Sequence, residues 1–255
     1  MKLYDAIYIR KSIRNFQMTP LEDVQIKKID QFIQNVQPLF EDLLYQINIV
    51  TLPREVKGYF VSKAPYYLVF SGERNEDSYR NAGYILEQIV LYLTVKGIGS
   101  CYQGCAKIPD ELLTLQKTME PLMIVAFGKP KNEWRKMSSE QKRLSVNELT
   151  KWKTEPTDSL NFILKAASLA PSSFNSQPWR FVVEGKEIHI FQKRNLSFLS
   201  SMQKMNAVDL GICMEHMMVA VEELWIDAVI EKSLSFPEKV LKNCQYVATM
   251  KMEKN

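Results

Sequence analysis

The chain has 255 residues, of which 46% are hydrophobic and 24% charged, and its formal net charge is +4. That length and balance describe a globular protein with a substantial core, built as one large domain or two intimate halves. The charge is too small to argue for nucleic acid as a partner. No apolar run approaches a membrane span, and the opening "MKLYDAIYIRKSIRNF" meets Asp5 and Arg10 before any run of signal-peptide length. The expectation is a cytoplasmic protein with no membrane partner.

In chain order, apolar spacing predicts a helix from Leu3 to Tyr8, a basic turn, and a helix from Leu21 to Val36. Strands follow at Tyr45 to Thr51 and Tyr66 to Ser71, then a long helix from Tyr79 to Lys96 and a strand from Met123 to Gly128. Lys129 to Asp158 is polar and charged; it lacks the Gly/Ser run of a loose tether and is expected to wrap across the surface. Beyond it come a helix from Leu160 to Leu169, strands at Phe181 to Glu184 and Ile188 to Gln192, a helix from Asn206 to Leu224, and a last strand from Tyr246 to Met252. Helices and strands mix without regular alternation, which favours an α+β sandwich.

Two segments repeat. "GYILEQIVLYLTVKGIG" and "GICMEHMMVAVEELWID" align without a gap from Gly83 to Gly211, an offset of 128 that sets Glu87 on Glu215. "FIQNVQPLF" pairs with "LKAASLAPSSF" from Pro38 to Pro171, an offset of 133. Both offsets are near half the chain, as a tandem duplication gives and a solenoid does not; chance matching of apolar runs is the competing reading. The halves are expected at 1–140 and 141–255, as one intertwined unit.

Three stretches could carry chemistry. In "RKSIR", an extended backbone puts Arg10, Ser12 and Arg14 on one face and Ile13 toward the core. Two guanidiniums and a hydroxyl suit a phosphate dianion, and a solvated basic turn is the alternative. In "GIGSCYQG", Gly97 suits a helix C-cap, while Gly99 and Gly104 would let backbone approach a flat or anionic ligand; a plain helix-to-strand turn is the alternative. In "APSSFNSQPWRF", Ser172, Ser173, Asn175 and Gln177 carry the donors and acceptors that read a heteroaromatic edge, stiffened by Pro171 and Pro178. Those side chains could instead satisfy loose backbone at a helix end. Cys101, Cys105, Cys213 and Cys244 form no C-x-x-C pair, and His189 and His216 are read as structural, so no metal is expected.

"PSSFNSQPWRF" resembles the P-S-S-x-N-x-Q-P-W signature of the FMN-dependent nitroreductase family. "AIYIRKSIRNF" resembles its N-terminal arginine element, "AGYILEQIVLYLTVKGIGSCYQG" its central helix and flavin loop, and "IVAFGKP" its strand ending in a glycine-proline turn. Typical members carry the arginine element and the Ser/Asn turn near the N-terminus of one chain and bind flavin between identical subunits. Here the two lie in different halves: "NVQPLFED" stands where a first turn would be, and "KRLSVN" where a second arginine element would be. The resemblance therefore implies the fused branch, an internal pseudo-dimer of antiparallel and mixed sheet with long central helices, holding one site and existing as a monomer or weak homodimer.

It implies FMN, with Arg10, Lys11, Ser12 and Arg14 near the phosphate and ring pyrimidine. Pro171, Ser172, Ser173 and Asn175 would line the ring and ribityl chain, Gln103 and Gly104 would approach N5, and Arg143 would match the family's phosphate arginine or be an exposed linker charge. Electrons would pass in ping-pong fashion from NADH or NADPH through flavin N5 to a nitroaromatic, quinone or other small acceptor, with Arg14 stabilising the reduced ring. A flavin-binding or redox-sensing protein without turnover, and a dehalogenase or dehydrogenase on the same fold, are the alternative readings.

Overall fold

The computed structural model describes residues 1–51, 56–109, 113, 118–132, 142–194, 200–233 and 240–253. Its backbone divides into two compact units, Met1–Glu140 and Gln141–Asn255.

The first unit opens with α1 (Leu3–Ile9) and α2 (Asp23–Ile33), followed by β1 (Tyr45–Val50) and β3 (Tyr66–Gly72). Between those strands a two-residue β2 (Lys57–Gly58) pairs with β5 (Ala106–Lys107) as a separate ribbon. The long α3 (Glu76–Val95) is capped at its start by the Asn75 side chain, which accepts from the Ser78 amide at 2.9 Å. Gly97, at φ 70, lets the chain leave that helix in the left-handed conformation expected of a C-cap glycine. The chain returns as β4 (Gly99–Tyr102) and β6 (Glu120–Gly128), completing an antiparallel sheet in the order β1-β3-β6-β4. Tyr67, Leu68, Val125 and Phe127 of β3 and β6 are fully buried, and α3 packs against both strands.

The second unit begins with a short α4 (Val146–Leu149) and β7 (Thr150–Trp152). The segment expected to wrap across the surface thus enters a sheet, with β7 pairing in parallel along one edge of β8 (Trp179–Glu184). The sheet runs β10-β11-β9-β8-β7, with β9 (Glu187–Lys193), β10 (Ala228–Glu231) and β11 (Cys244–Met252). Helices α5 (Asp158–Ser168) and α6 (Ser200–Glu223) pack on each other. Leu164, Leu210 and Met214 are fully buried there.

The two units share an order of elements. A helix, a pair of strands, a long helix and a further pair of strands give β1-β3-β6-β4 in the first and β8-β9-β11-β10 in the second, all antiparallel. The mixed α+β class follows from these two sheets. Sequence spacing misses β4, β7 and β10, which are three or four residues long, too short to display a period.

Candidate functional site

In the first unit, α1 ends at Arg10, whose backbone turns extended at φ −56, ψ 133. Ser12 then forms a parallel bridge with Ser100, and the Ile13 amide donates to the Ser100 carbonyl at 2.8 Å. Phe16 bridges Pro130, and Gln17 donates to the Lys129 carbonyl at 2.9 Å. The arginine element is therefore stapled along β4 and the chain leaving β6. Ile13 packs on the core cluster that contains Phe16, Tyr67 and Ala126, as its alternation required.

The three polar residues of that element differ in exposure. Arg10 is only 4% exposed, and its Nε lies 3.6 Å from Glu87 Oε1, whose other oxygen accepts from the Tyr102 hydroxyl at 2.8 Å. Arg14 is exposed, and Lys11 and Ser12 are partly buried. What the three share is Cys101. Burial pushes that thiol up, and the Arg14 and Arg10 guanidiniums and hydrogen bonds with Ser62 and Ser12 oppose the rise.

Gln103 closes this corner as a buried clamp. Its Oε1 accepts from the Ser62 amide at 2.8 Å and its Nε2 donates to the Cys101 carbonyl at 3.2 Å. Gly104 sits exposed in the turn that follows, and both border a cleft of about 370 Å³ with Ile108, Met119 and Leu122. The space at Gly99 admits Ile13 rather than a ligand: a Cβ there would lie 3.0 Å from the Ile13 side chain. This corrects the expectation that Gly99 was kept for ligand approach.

In the second unit, Pro171 and Ser172 leave α5 extended and lead into a 3-10 turn, Ser173–Asn175. Phe174, Asn175 and Gln177 have φ of 53, 55 and 46, left-handed values that side-chain-bearing residues seldom adopt. Bonds within the turn hold them. The Asn175 amide donates to the Ser172 carbonyl at 3.0 Å, and the Gln177 amide to Ser172 Oγ at 3.0 Å. The segment before α4 clasps the same turn: Arg143 Nη1 donates to Asn175 Oδ1, Asn175 Nδ2 to the Lys142 carbonyl at 2.8 Å, and the Leu144 amide to Gln177 Oε1 at 2.8 Å. Arg143 and Asn175 are thereby brought together, and Arg143 is not a stray linker charge. The Asn175 and Gln177 side chains bond back to protein, as the helix-end alternative held.

His189 and His216 are buried. His189 Nδ1 lies 2.9 Å from Thr249 Oγ1, and His216 Nδ1 3.1 Å from the Ala166 carbonyl. No cluster of three metal-ligating side chains occurs among the described residues. Nor is any helix among them long and apolar enough to cross a membrane.

A family model described as "Putative TM nitroreductase" matches residues 2–221, which include the arginine element, Gln103, Arg143 and the Ser/Asn turn. The chain belongs to this nitroreductase family. No curated protein matches it. A Thermotoga maritima structure described as a "putative nitroreductase" shares its fold, with a TM-score of 0.67 at 22% identity over 99% of this chain and 93% of that one. A Clostridium difficile nitroreductase family protein has a TM-score of 0.48 at 15% identity over 61% of this chain and 99% of that one. An FMN-dependent nitroreductase of the same organism has a TM-score of 0.44 at 17% identity over 58% of this chain and 95% of that one.

One residue that anchors the Ser/Asn turn escaped sequence reasoning. Asp209 on α6 is buried, and its two carboxylate oxygens accept from the Ser173 amide at 3.1 and 3.0 Å, with Ser173 Oγ adding a bond of 3.3 Å. Burial raises its pKa to about 8, against the pull of the Ser173 amide and the Ser173 and Ser176 hydroxyls. In the first unit Asn81 does the same work, its Oδ1 accepting from the Leu39 and Phe40 amides at 2.8 and 3.1 Å. Asn81 and Asp209 correspond at the offset of 128, and Phe40 and Ser173 at that of 133. Reading the two alignments together for polar residues would have found the pair.

Proposed function

We propose that the protein is an FMN-dependent oxidoreductase, internally duplicated, with one flavin site per chain. The observation that carries this reading is the family match over residues 2–221, which takes in both motif elements of a single chain. The shared strand order and the Asn81 and Asp209 anchors support duplication.

The donor set suits FMN. Arg10 is a buried guanidinium whose Nε faces Glu87 at 3.6 Å but has no hydrogen-bond partner among the described residues, a position that an anionic ligand group could complete. Ser12 and Arg14 converge with it on Cys101, giving positive charge and a hydroxyl in one corner. The residues we assign to the cofactor are Arg10, Lys11, Ser12, Arg14, Gln103 and Gly104 of the first unit, and Arg143, Pro171, Ser172, Ser173 and Asn175 of the second. FMN supplies the redox chemistry when bound, taking electrons from NADH or NADPH and passing them to a nitroaromatic, a quinone or another small oxidised acceptor.

The chain's own part is positioning and charge. Arg14, exposed and next to the buried Arg10, offers a guanidinium for negative charge that develops on a reduced ring. Gln103 is fixed by two hydrogen bonds and serves as a rigid wall. Asp209 and Arg143 hold the Ser/Asn turn in its left-handed form, so little order remains to be imposed when a ligand arrives.

Flavin released by heat, measured against protein, should give a ratio near one, and anaerobic NAD(P)H should bleach the bound flavin. A colourless protein that takes up no FMN would end this reading; colour without bleaching would favour a flavin-binding protein without turnover. Arg14→Ala removes a charge-assisted contact and should weaken FMN binding roughly ten- to a hundred-fold. A double-mutant cycle with Asn175→Ala then reads whether both sets of residues act on the same flavin.

A further inference from the structure

The geometry points to a second, flavin-independent pocket in the second unit that takes a phosphate-bearing small molecule. A hollow of about 350 Å³ opens where β7, β8 and β9 meet the chain entering β11, and its walls include Lys151, Arg180, Lys193, Lys242, Glu148 and Cys244. Four cationic residues and a single carboxylate line it. That carboxylate is already engaged: Glu148 Oε2 accepts from the Ser145 amide at 2.8 Å and hydroxyl at 2.7 Å as the cap of α4, which holds its pKa below the ordinary range.

None of the four cations has an ion pair among the described residues, although the same sheet pairs its other lysines. Lys153 meets Glu184 and Lys251 meets Glu231, each at 2.6 Å. Lysines left unpaired beside a concave surface, on a sheet that neutralises their neighbours, mark a place where an anion is expected.

Arg180 supplies the directional element. Its Nη1 donates to the Gln177 carbonyl at 3.0 Å and to the Trp179 carbonyl, which fixes the plane of the guanidinium. Its Nε and Nη2 donate to nothing among the described residues and neither is sealed in the interior. The group is half-buried, and that burial lowers its pKa, with Cys244 and the already engaged Glu148 opposing the fall. A planar fork held in place with one edge open is the arrangement that binds a phosphate through paired hydrogen bonds.

Two of these cations meet at Cys244. Cys244 stands opposite Lys193 in the β11–β9 register, and Arg180, Lys193 and Arg194 all act on its thiol, against the upward push of burial. The hollow falls in the size range of small-ligand pockets, enough for a phosphate and a modest organic remainder. Its walls share no residue with those assigned to FMN.

The test is a calorimetric titration of the full chain as purified, with inorganic phosphate and with pyrophosphate as probes, and flavin content measured in parallel. Saturable binding is expected, tighter for pyrophosphate and weakening as salt is raised. Arg180→Gln should weaken it roughly ten- to a hundred-fold. Lys193→Gln should weaken it less, and Lys153→Gln, a paired lysine outside the hollow, should leave it unchanged. Should Arg180→Gln fail to fold, the Lys193→Gln and Lys242→Gln double variant decides by itself. Absence of saturable binding, equal binding by wild type and these variants, or release of flavin by pyrophosphate would each overturn the proposal.

Discussion

The turn after α2 and the turn after α5 occupy corresponding places in the two units, yet they are built differently. In the first, Asn81 accepts from the Leu39 and Phe40 amides and donates back to the Phe40 carbonyl at 3.0 Å, and no residue from 37 to 41 is left-handed. In the second, Asp209 receives the Ser173 amide and hydroxyl, and three residues within four positions are left-handed. Left-handed backbone costs about 1 to 2 kcal/mol per side-chain-bearing residue. The second turn therefore stands only because Asp209, Arg143 and the Leu144 amide hold it. Two corresponding positions in the two units thus hold a relaxed turn and a strained one, and strain of this kind collects where a ligand is gripped.

The comparison is broken most severely at its anchors. Asp209→Ala removes the acceptor of the partly buried Ser173 amide and hydroxyl and leaves a gap at a buried site, and should cost about 2 to 4 kcal/mol in urea unfolding. Asn81→Ala should cost about the same, because two amides and a carbonyl lose their partner. The variants should part company in FMN titration, where only Asp209→Ala weakens binding; equal losses would mean that the strained turn has no special part in the flavin site.

Protonation sharpens the same contrast. The Asp209 pKa is raised in the fold from 3.8 to about 8, so the folded chain binds a proton that the unfolded chain releases. The resulting stabilisation is complete below about pH 4, declines as pH rises, and is gone above about pH 8. Unfolding free energies measured from pH 5 to pH 8 should fall more steeply in wild type than in Asp209→Asn. Parallel curves for the two proteins would show that Asp209 does not carry this proton.

Smaller effects are expected where the elements touch. Gly99→Ala would press a Cβ onto Ile13 and shift the arginine element along β4, at a cost of about 1 to 2 kcal/mol in thermal unfolding and with weaker FMN binding. Phe174→Gly should change stability least. Relief of the left-handed strain, about 1 kcal/mol, is offset by glycine's added chain entropy of about 0.5 to 1 kcal/mol, and the Phe174 ring is exposed. A large loss of stability there would mean that the turn rests on the ring rather than on its hydrogen bonds.

Much of the scaffold was legible in the sequence. The long helix around Leu86 and the strands around Leu68, Val125 and Ile190 announce themselves because a buried face imposes a period over many residues. The short β4 and β10 stayed hidden because four residues are too few to show one. For the candidate site, the types and spacing in "RKSIR" and "PSSFNSQPW" could be read, but not which side chains are already in use. Gln103, Asn175 and Gln177 look free as letters and prove to be bonded to protein.

By itself the sequence determined the α+β composition, the long central helices, the internal correspondence at offsets of 128 and 133, and the motifs that mark the family. These rest on local periodicity and on residue order, which a linear chain displays directly. Only the tertiary structure decided that Arg10 lies buried against Glu87, that Ile13 fills the space at Gly99, that Asp209 anchors the Ser/Asn turn, and that Lys193 and Arg180 share a hollow with Cys244. Each joins residues distant in sequence through burial or hydrogen bonding, and the strength of such contacts depends on a dielectric and a packing that exist only once the chain has folded.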